Sequence, residues 1–397
     1  MISAEEAIGL VLSHARPRAP ERLTLAGARG LVLAEAVVAD RDFPPFDRAT
    51  MDGFAVRLVH AGRTVAIRGE SRPGVAPSAA PDDDACVEIM TGAPCPAGTE
   101  AVVMKEEVSR EDGRATFPPR ILPGQHIVPR GAERRQGSVV VPAGARVTPI
   151  AVALLASVGQ SAISARSLPR VAVLVTGDEL VGVERAPGDV EVRDSNGPML
   201  SAMLASAGVT VSDVRSVKDT PEALAAALDA VASADVVVLT GGVSAGNYDL
   251  VPAALVAHGA SVVFHKVRQQ PGKPILFAVA GPRLFFGLPG TPLGCHLGME
   301  RYVLPAVRAL AGLPPARPTE RGRLTGPWAS PSERQQFVLA HVSRESDEWR
   351  VSPLSPRGSS DLFAVWAANA YMLVAEGTRD LPSLAEVPFA WLASVPA

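Results

Sequence analysis

The sequence predicts a multidomain chain of α/β plus β class, organised around a central α/β domain with a parallel sheet. Three observations predict it. V-A-V-L-V (171–175), V-V-V-L (236–239) and L-F-F-G-L, ending at Leu288, are continuous apolar runs of the kind that strands covered on both faces require. Between them lie helix signals: Thr220 and Thr291 are capping residues, each followed by proline in the first helical position. The flanks have a different texture, with short β-like runs split by Gly and Pro over about 43–145 and again over the last 80 residues. Alternating strand and helix specify a parallel sheet, and 397 residues exceed one ordinary core.

In chain order, residues 3–15 read as an amphipathic helix and 25–39 as an alanine-rich apolar segment. F-A-V-R-L, T-V-A-I-R and A-V-V-M-K-E-E-V are strand candidates, and helix returns at 149–159. Within the α/β region, N-G-P-M-L-S-A-M-L-A-S-A-G is a helix that Ser195 or Asn196 would cap. A Pro-rich linker at 311–318 leads to Q-F-V-L-A-H-V and A-Y-M-L-V-A-E, strands of a small barrel or sandwich.

Composition excludes several functions. The net charge is −3, with no basic run and no aromatic–basic interleaving, so no nucleic-acid partner is expected. No stretch approaches the ~20 apolar residues that cross a bilayer, and the N-terminus has no basic leader, so a cytoplasmic protein is expected. Cys86, Cys95 and Cys295 form no paired spacing and read as reduced thiols rather than a zinc or disulfide framework. Neither a P-loop nor a G-x-G-x-x-G fingerprint is present, which disfavours P-loop NTPases and ordinary dinucleotide dehydrogenases.

Open α/β sheets bind ligands at the carboxyl ends of their strands. Three exits share one character: V-T-G-D-E-L (175–180), L-T-G-G-V-S-A-G-N-Y-D (239–249) and G-L-P-G-T-P (287–292). Their glycines let backbone N–H groups approach an anion, and the hydroxyls of Thr240 and Ser244 add donors. The acids Asp178, Glu179, Asp194, Asp219 and Asp249 stand among these loops, and carboxylates beside a phosphate call for a cation such as Mg²⁺; Asp194 and Asp219 also precede helices they could cap. In F-H-K-V-R-Q-Q-P-G-K-P, Lys266, Arg268 and Lys273 cluster around a Pro-Gly turn, compact and forked cations suited to a small oxyanion. Two Pro-locked loops, holding Asp52 in M-D-G and Thr91 and Gly92 in I-M-T-G-A-P, are further candidates for ligand contact.

From 42 to 292, P-P-F-D-R-A-T-M-D-G-F-A-V, I-M-T-G-A-P, V-T-G-D-E-L, D-S-N-G-P-M-L, T-G-G-V-S-A-G-N-Y-D, P-G-K-P and G-L-P-G-T-P follow one another in order. In this set the sequence resembles the molybdopterin molybdenumtransferases, the MoeA type shared with the E domain of gephyrin. The resemblance implies a helical linking domain (1–42 with 146–168), an inserted β domain (43–145), the α/β molybdopterin-binding domain (169–312) and a barrel-like C-terminal β domain (319–397). It implies a homodimer with its active site in the subunit cleft, contacts with other molybdenum-cofactor biosynthesis proteins, and a reaction in which adenylylated molybdopterin and molybdate yield the molybdenum cofactor and AMP with Mg²⁺ or a similar cation. Asp52, Thr91, Glu179, Asp219, Asp249 and Lys266 carry over as functional positions, with Glu179 and Asp249 as metal ligands. The strand-exit motifs carry over Thr176, Gly177, Asp178, Ser195, Thr240, Gly241, Gly242, Ser244, Pro289 and Gly290 for substrate. Gly92, Arg268, Lys273 and Ser359 complete the binding set.

The chain departs from the family pattern at several points. Gln270 stands where many members have lysine, leaving Arg268 to compensate. Asn247 replaces an acid, and Leu339 stands where the family has an arginine in the last domain. Arg48 and Phe54 are mild variants within the M-D-G motif. Two other readings remain open on the sequence: a molybdopterin adenylyltransferase, and a non-catalytic molybdopterin-binding or scaffold protein.

Overall fold

The computed structural model describes residues 1–209, 211–243, 250–315 and 318–393. Ser244, Asn247 and Asp249, singled out in the sequence, lie outside the described residues. The chain divides into two compact units, one made of Arg22–Arg29 and Leu33–Ser164, the other of Met1–Glu21, Gly30–Val32 and the chain from Ala165 onward.

The first unit is built on a six-stranded sheet. Its strands are β1 (Gly53–Val56), β2 (Thr64–Ser71), β3 (Ala85–Ile89), β4 (Ala101–Met104), β5 (Ser109–Glu111) and β6 (Arg114–Thr116), in the order β4-β1-β3-β2-β6-β5. All pairs are antiparallel except β2 with β3. Side chains alternate along each strand, so Phe54, Val56 and Val103 enter one apolar cluster while Ala55, Val87 and Val102 enter another on the opposite face. Gly53 is required where β1 leaves the M-D-G turn, because a Cβ there would lie 1.9 Å from the Val103 carbonyl oxygen. A separate helix, Pro149–Ser157, starts at Thr148, whose hydroxyl accepts from the Ala151 N–H.

The second unit contains the α/β sheet: β7 (Val171–Thr176), β8 (Val211–Val217), β9 (Val236–Thr240), β10 (Ser261–His265), β11 (Leu276–Ala280) and β12 (Arg283–Leu288), in the order β8-β7-β9-β12-β11-β10. Strands β8, β7, β9 and β12 are parallel, as the apolar runs predict. The sheet is nonetheless mixed, not purely parallel: β11 runs antiparallel to both its neighbours. Only two residues separate β11 from β12, which closes a hairpin and is far too short for a crossover.

Both faces are covered. Helices Asn196–Ser206, Pro292–Gly298 and Leu304–Leu310 pack on one face against Val173, Val175, Val238 and Phe286, and the N-terminal helix Ala4–His14 buries Ala4, Ala7 and Val11 in the same cluster. Helices Pro221–Ala230 and Leu250–Ala257 cover Leu174, Val237 and Leu239 on the other. Thr220 caps its helix as expected, accepting from the Ala223 N–H at 3.2 Å. Of the caps the sequence offers for Asn196–Ser206, Asp194 is the one used: its Oδ1 accepts from the Gly197 N–H at 2.9 Å, and Ser195 makes no side-chain cap bond. The Asn196 side chain is engaged elsewhere.

The last part is a closed five-stranded barrel. Strands β13 (Glu320–Leu324), β14 (Gln335–Glu345), β15 (Glu348–Pro353), β16 (Ala370–Val374) and β17 (Glu386–Trp391) follow one another as β14-β15-β13-β17-β16, and β16 pairs back onto β14. Leu324, Val342, Val351, Met372 and Phe389 fill it. One short ladder ties the barrel to the α/β sheet: Gln269–Gln270 pairs in parallel with Gln335 and Gln336 at the start of β14.

Candidate functional site

The ends of the parallel strands lie level. Val175 pairs with Thr240, and Thr240 with Leu288, so the three glycine-bearing loops leave the sheet side by side. Together with the 270–274 turn and the near end of the barrel, they line a cavity of about 1210 Å³. Of the residues carried over from the sequence, this cavity takes in Thr176, Gly177, Glu179, Ser195, Asp219, Thr240, Gly241, Gly242, Lys273, Pro289, Gly290 and Ser359. Asp178, Lys266 and Arg268 are not in its lining.

Asn196 joins two of the loops. Its Nδ2 donates to Thr240 Oγ1 at 3.1 Å and to the Gly290 carbonyl at 2.8 Å, while Thr240 Oγ1 donates to the Pro289 carbonyl at 3.2 Å. The Thr240 hydroxyl, expected as a ligand donor, therefore has its proton committed to holding the loops together. Gly241 sits at φ +94°, where a Cβ would lie 2.3 Å from the Thr176 carbonyl oxygen. Only glycine lets the second loop press against the first in this way. Asn196 Oδ1 is buried without a hydrogen-bond partner among the described residues, a polar atom available to a ligand, while the Thr176 hydroxyl stands beside the Asp219 carboxyl.

The charges in the lining are Glu179, Asp194, Asp219, Arg193, Lys273 and Arg334. Asp194 is engaged as the helix cap. Asp219 is the perturbed acid: burial pushes its carboxyl up, and the nearby charges of Asp178 and Glu179 push it further, against the lowering influence of the Thr176 side chain and the Asp178 backbone. Its own N–H donates to Asp178 Oδ1 at 3.3 Å, which places Asp178 behind the lining as a support.

The cations are arranged differently from the sequence expectation. Arg268 is paired with Glu376 at 3.2 Å, so it does not stand in for the lysine absent at Gln270. Lys266 adopts φ +75°, and its backbone N–H donates to the Ile275 carbonyl at the base of the turn. Leu339 lines the cavity as a buried apolar residue opposite Tyr371 on β16, in keeping with the missing arginine. Arg334 is the cation that sequence reasoning missed: its guanidinium donates to the Gln269 carbonyl at 3.0 Å and to Gln270 Oε1 at 3.3 Å. Its place depends on the Gln269–Gln270 ladder, a pairing across some 65 residues for which no local pattern signals.

At the cavity's margin, Tyr371 hydrogen-bonds His296 Nδ1 at 2.8 Å, joining the barrel to helix Pro292–Gly298. Burial drives His296 down to about 4, so the ring is neutral near pH 7. Cys295 beside it is pushed up to about 12 by burial and is an inert thiol.

In the first unit, the Thr91 N–H and hydroxyl both donate to Asp52 Oδ1 at 2.8 Å, and Lys105 Nζ approaches Asp52 Oδ2 at 3.3 Å. These bonds hold the Asp52 carboxyl below the usual range, the Thr91 backbone bond contributing most. Gly92, at φ +84°, donates its N–H to the Ala49 carbonyl and closes the loop. The two motif loops read from sequence are thus one hydrogen-bonded cluster.

Comparison with known proteins gives this arrangement a family. The model of the MoeA N-terminal region (domain I and II) matches residues 2–159, that of the probable molybdopterin binding domain 172–309, and that of the MoeA C-terminal region (domain IV) 321–391. A molybdopterin molybdenumtransferase from Bacillus subtilis (strain 168) is 32% identical over 395 residues, covering 96% of this chain and 92% of the relative. The chain belongs to the molybdopterin molybdenumtransferase family. A relative of the same name from Staphylococcus aureus (strain Mu50) is 31% identical over 95% of this chain and 92% of its own length. The crystal structure of a molybdopterin biosynthesis MoeA protein from Pyrococcus horikoshii superposes with a TM-score of 0.84 at 27% identity, covering 99% of both chains. Among the described residues, no helix is long and apolar enough to cross a membrane.

Proposed function

We propose that the protein inserts molybdenum from molybdate into adenylylated molybdopterin and releases AMP, as a step of molybdenum cofactor biosynthesis. The observation that carries this reading is one cavity that combines polar loop ends, acids and cations: Gly241, Gly242 and Thr176 at the strand ends, Glu179 and Asp219 beside them, Lys273 and Arg334 on the side of the 270–274 turn and the barrel. A phosphate-bearing pterin suits the backbone donors of the loops, and a tetrahedral dianion suits the cations. The transfer asks little of a protein nucleophile, and none of the described thiols is activated. Positioning and charge neutralisation are what these residues supply.

The family implies Mg²⁺ or a similar cation. Among the described residues no three His, Cys, Asp or Glu side chains converge on a point, so they do not form an all-protein cage. The donors instead suit a cation taken by one or two carboxylates together with phosphate oxygens. Glu179 and Asp219 would hold it, and the crowding of negative charge around Asp219 is what a cation relieves; Asp249, the other metal ligand expected from the sequence, lies outside the described residues. Such an ion, when bound, stabilises the charge of the departing AMP phosphate. Asp52 and Thr91 are not in the lining of this cavity, and we assign them to the cavity of a partner subunit in a cytoplasmic homodimer.

The discriminating experiment supplies the purified protein with Mg²⁺ and either adenylylated molybdopterin, with and without molybdate, or molybdopterin and ATP. AMP release that requires molybdate is expected. Pyrophosphate release from ATP would make the protein an adenylyltransferase, and pterin binding without AMP release would make it a scaffold.

A further inference from the structure

Among the described residues, three cations line the cavity: Arg193, Lys273 and Arg334. They are not equivalent. Arg193 lies in the short strand Val192–Arg193, paired with Leu180 and Val181, and directs its Nε to the Arg185 carbonyl at 3.0 Å. None of the three has a carboxylate partner among the described residues; Lys273 and Arg334 differ from Arg193 in where they stand. Both flank the Gln269–Gln270 ladder. Tyr302 donates to Gln269 Oε1, the fully buried Gln269 donates to the Pro271 carbonyl at 3.2 Å, and the ladder itself fixes the start of β14. The turn that carries Lys273 and the residue that carries the guanidinium are thus anchored on one rigid support.

A guanidinium has five N–H donors in a planar fork. Arg334 gives one from Nη1 to the Gln269 carbonyl and one from Nη2 to Gln270 Oε1. The rest meet no protein acceptor among the described residues. A neutral glutamine is the right partner here: it orients the fork without cancelling its charge, as a carboxylate at position 270 would.

We propose that Arg334 is the specificity-determining cation for the oxyanion substrate, a tetrahedral dianion, with Lys273 as its companion and Gln270 as the positioning residue that aims the guanidinium. This deepens the functional reading above and rests on it for the identity of the oxyanion. It assigns Gln270 an active part: the residue that lacks the family's lysine charge orients an arginine from the neighbouring barrel.

The test uses the full-length protein and molybdate as probe in two readouts: equilibrium dialysis of molybdate alone, and the molybdate dependence of AMP release. Arg334→Ala should raise the half-saturating molybdate concentration by about tenfold or more, the loss expected for a hydrogen bond to a charged group. The shift should exceed any change in maximal rate, with pterin affinity retained. Arg334→Lys, which keeps the charge but loses the fork, should produce a smaller shift. Gln270→Glu, which keeps the oxygen but neutralises the guanidinium, should weaken molybdate binding more than Gln270→Ala. Unchanged molybdate affinity in folded Arg334→Ala, or tighter binding in Gln270→Glu, overturns the proposal. Dialysis needs no pterin, so an enzyme that releases no AMP would overturn the functional reading while Arg334 is still judged by its binding of molybdate.

Discussion

Asp219 separates stability from function at a single side chain. Burial and the charges of Asp178 and Glu179 raise its folded pKa above the unfolded value. Its contribution to stability is therefore fully present at pH below the unfolded pKa and is lost as pH rises through the folded one. Asp219→Asn should raise the melting temperature at pH 7, with the advantage vanishing near pH 3, while AMP release falls; a lower melting temperature at pH 7 would show that the carboxylate is structural. His296 has the opposite exposure to acid. Burial lowers it from 6.5 to about 4, so the stability it confers is present above pH 6.5 and is lost as pH falls from there towards 4. The loss is roughly 3 kcal/mol over that window. Tyr371 at 2.8 Å and Glu300 at 4.0 Å are polar groups beside the ring. Unfolding followed by urea at pH 7 and pH 4.5 should show a smaller pH difference for His296→Gln than for the parent. At this scale, the acids of the strand exits were legible because their glycine-rich context marks them. Arg334 was not, because its role comes from a ladder between segments far apart in sequence.

The elements show which signals are local. Thr220-Pro221 announced its helix, and Thr220→Ala should cost about 1 kcal/mol in urea unfolding through loss of the bond to the Ala223 N–H. The helix Asn196–Ser206 was equally legible, with its cap left open among Asp194, Ser195 and Asn196. Asp194 is the one used, and Asn196 turns its amide to Thr240 and Gly290. The sheet was expected to be parallel throughout, and the antiparallel β11 was not singled out at all. An apolar run carries no sense of direction, whereas the two-residue connection Gly281-Pro282 does, since it can close only a hairpin. Gly53 in the M-D-G turn makes the sharpest prediction for an element. A Cβ 1.9 Å from the Val103 carbonyl oxygen would force β1 from β4, so Gly53→Ala should destabilise the first unit, with faster amide hydrogen exchange in β1 and β4. Parent-like protection there would mean that the turn relaxes freely.

For the molecule as a whole, the sequence revealed its class through texture: continuous apolar runs for a sheet covered on both faces, alternating short runs for the β parts. Closure of the last strands into a barrel was not decidable from those runs, because barrel and sandwich share alternation and differ only in the pairing of β16 with β14. The cavity became visible only once the level strand ends and the barrel were placed together. Its contents make a specific chemical demand, since acids at the sheet edge and uncompensated cations at Lys273 and Arg334 suit a phosphate with its cation and a second, separate oxyanion. That demand is tested most directly by titrating molybdate into the purified protein loaded with adenylylated molybdopterin and Mg²⁺, while AMP and pterin-bound molybdenum are measured together. The account predicts saturable AMP release matched mole for mole by molybdenum in the pterin product. AMP release at the same rate without molybdate, or none at any molybdate concentration, would contradict it.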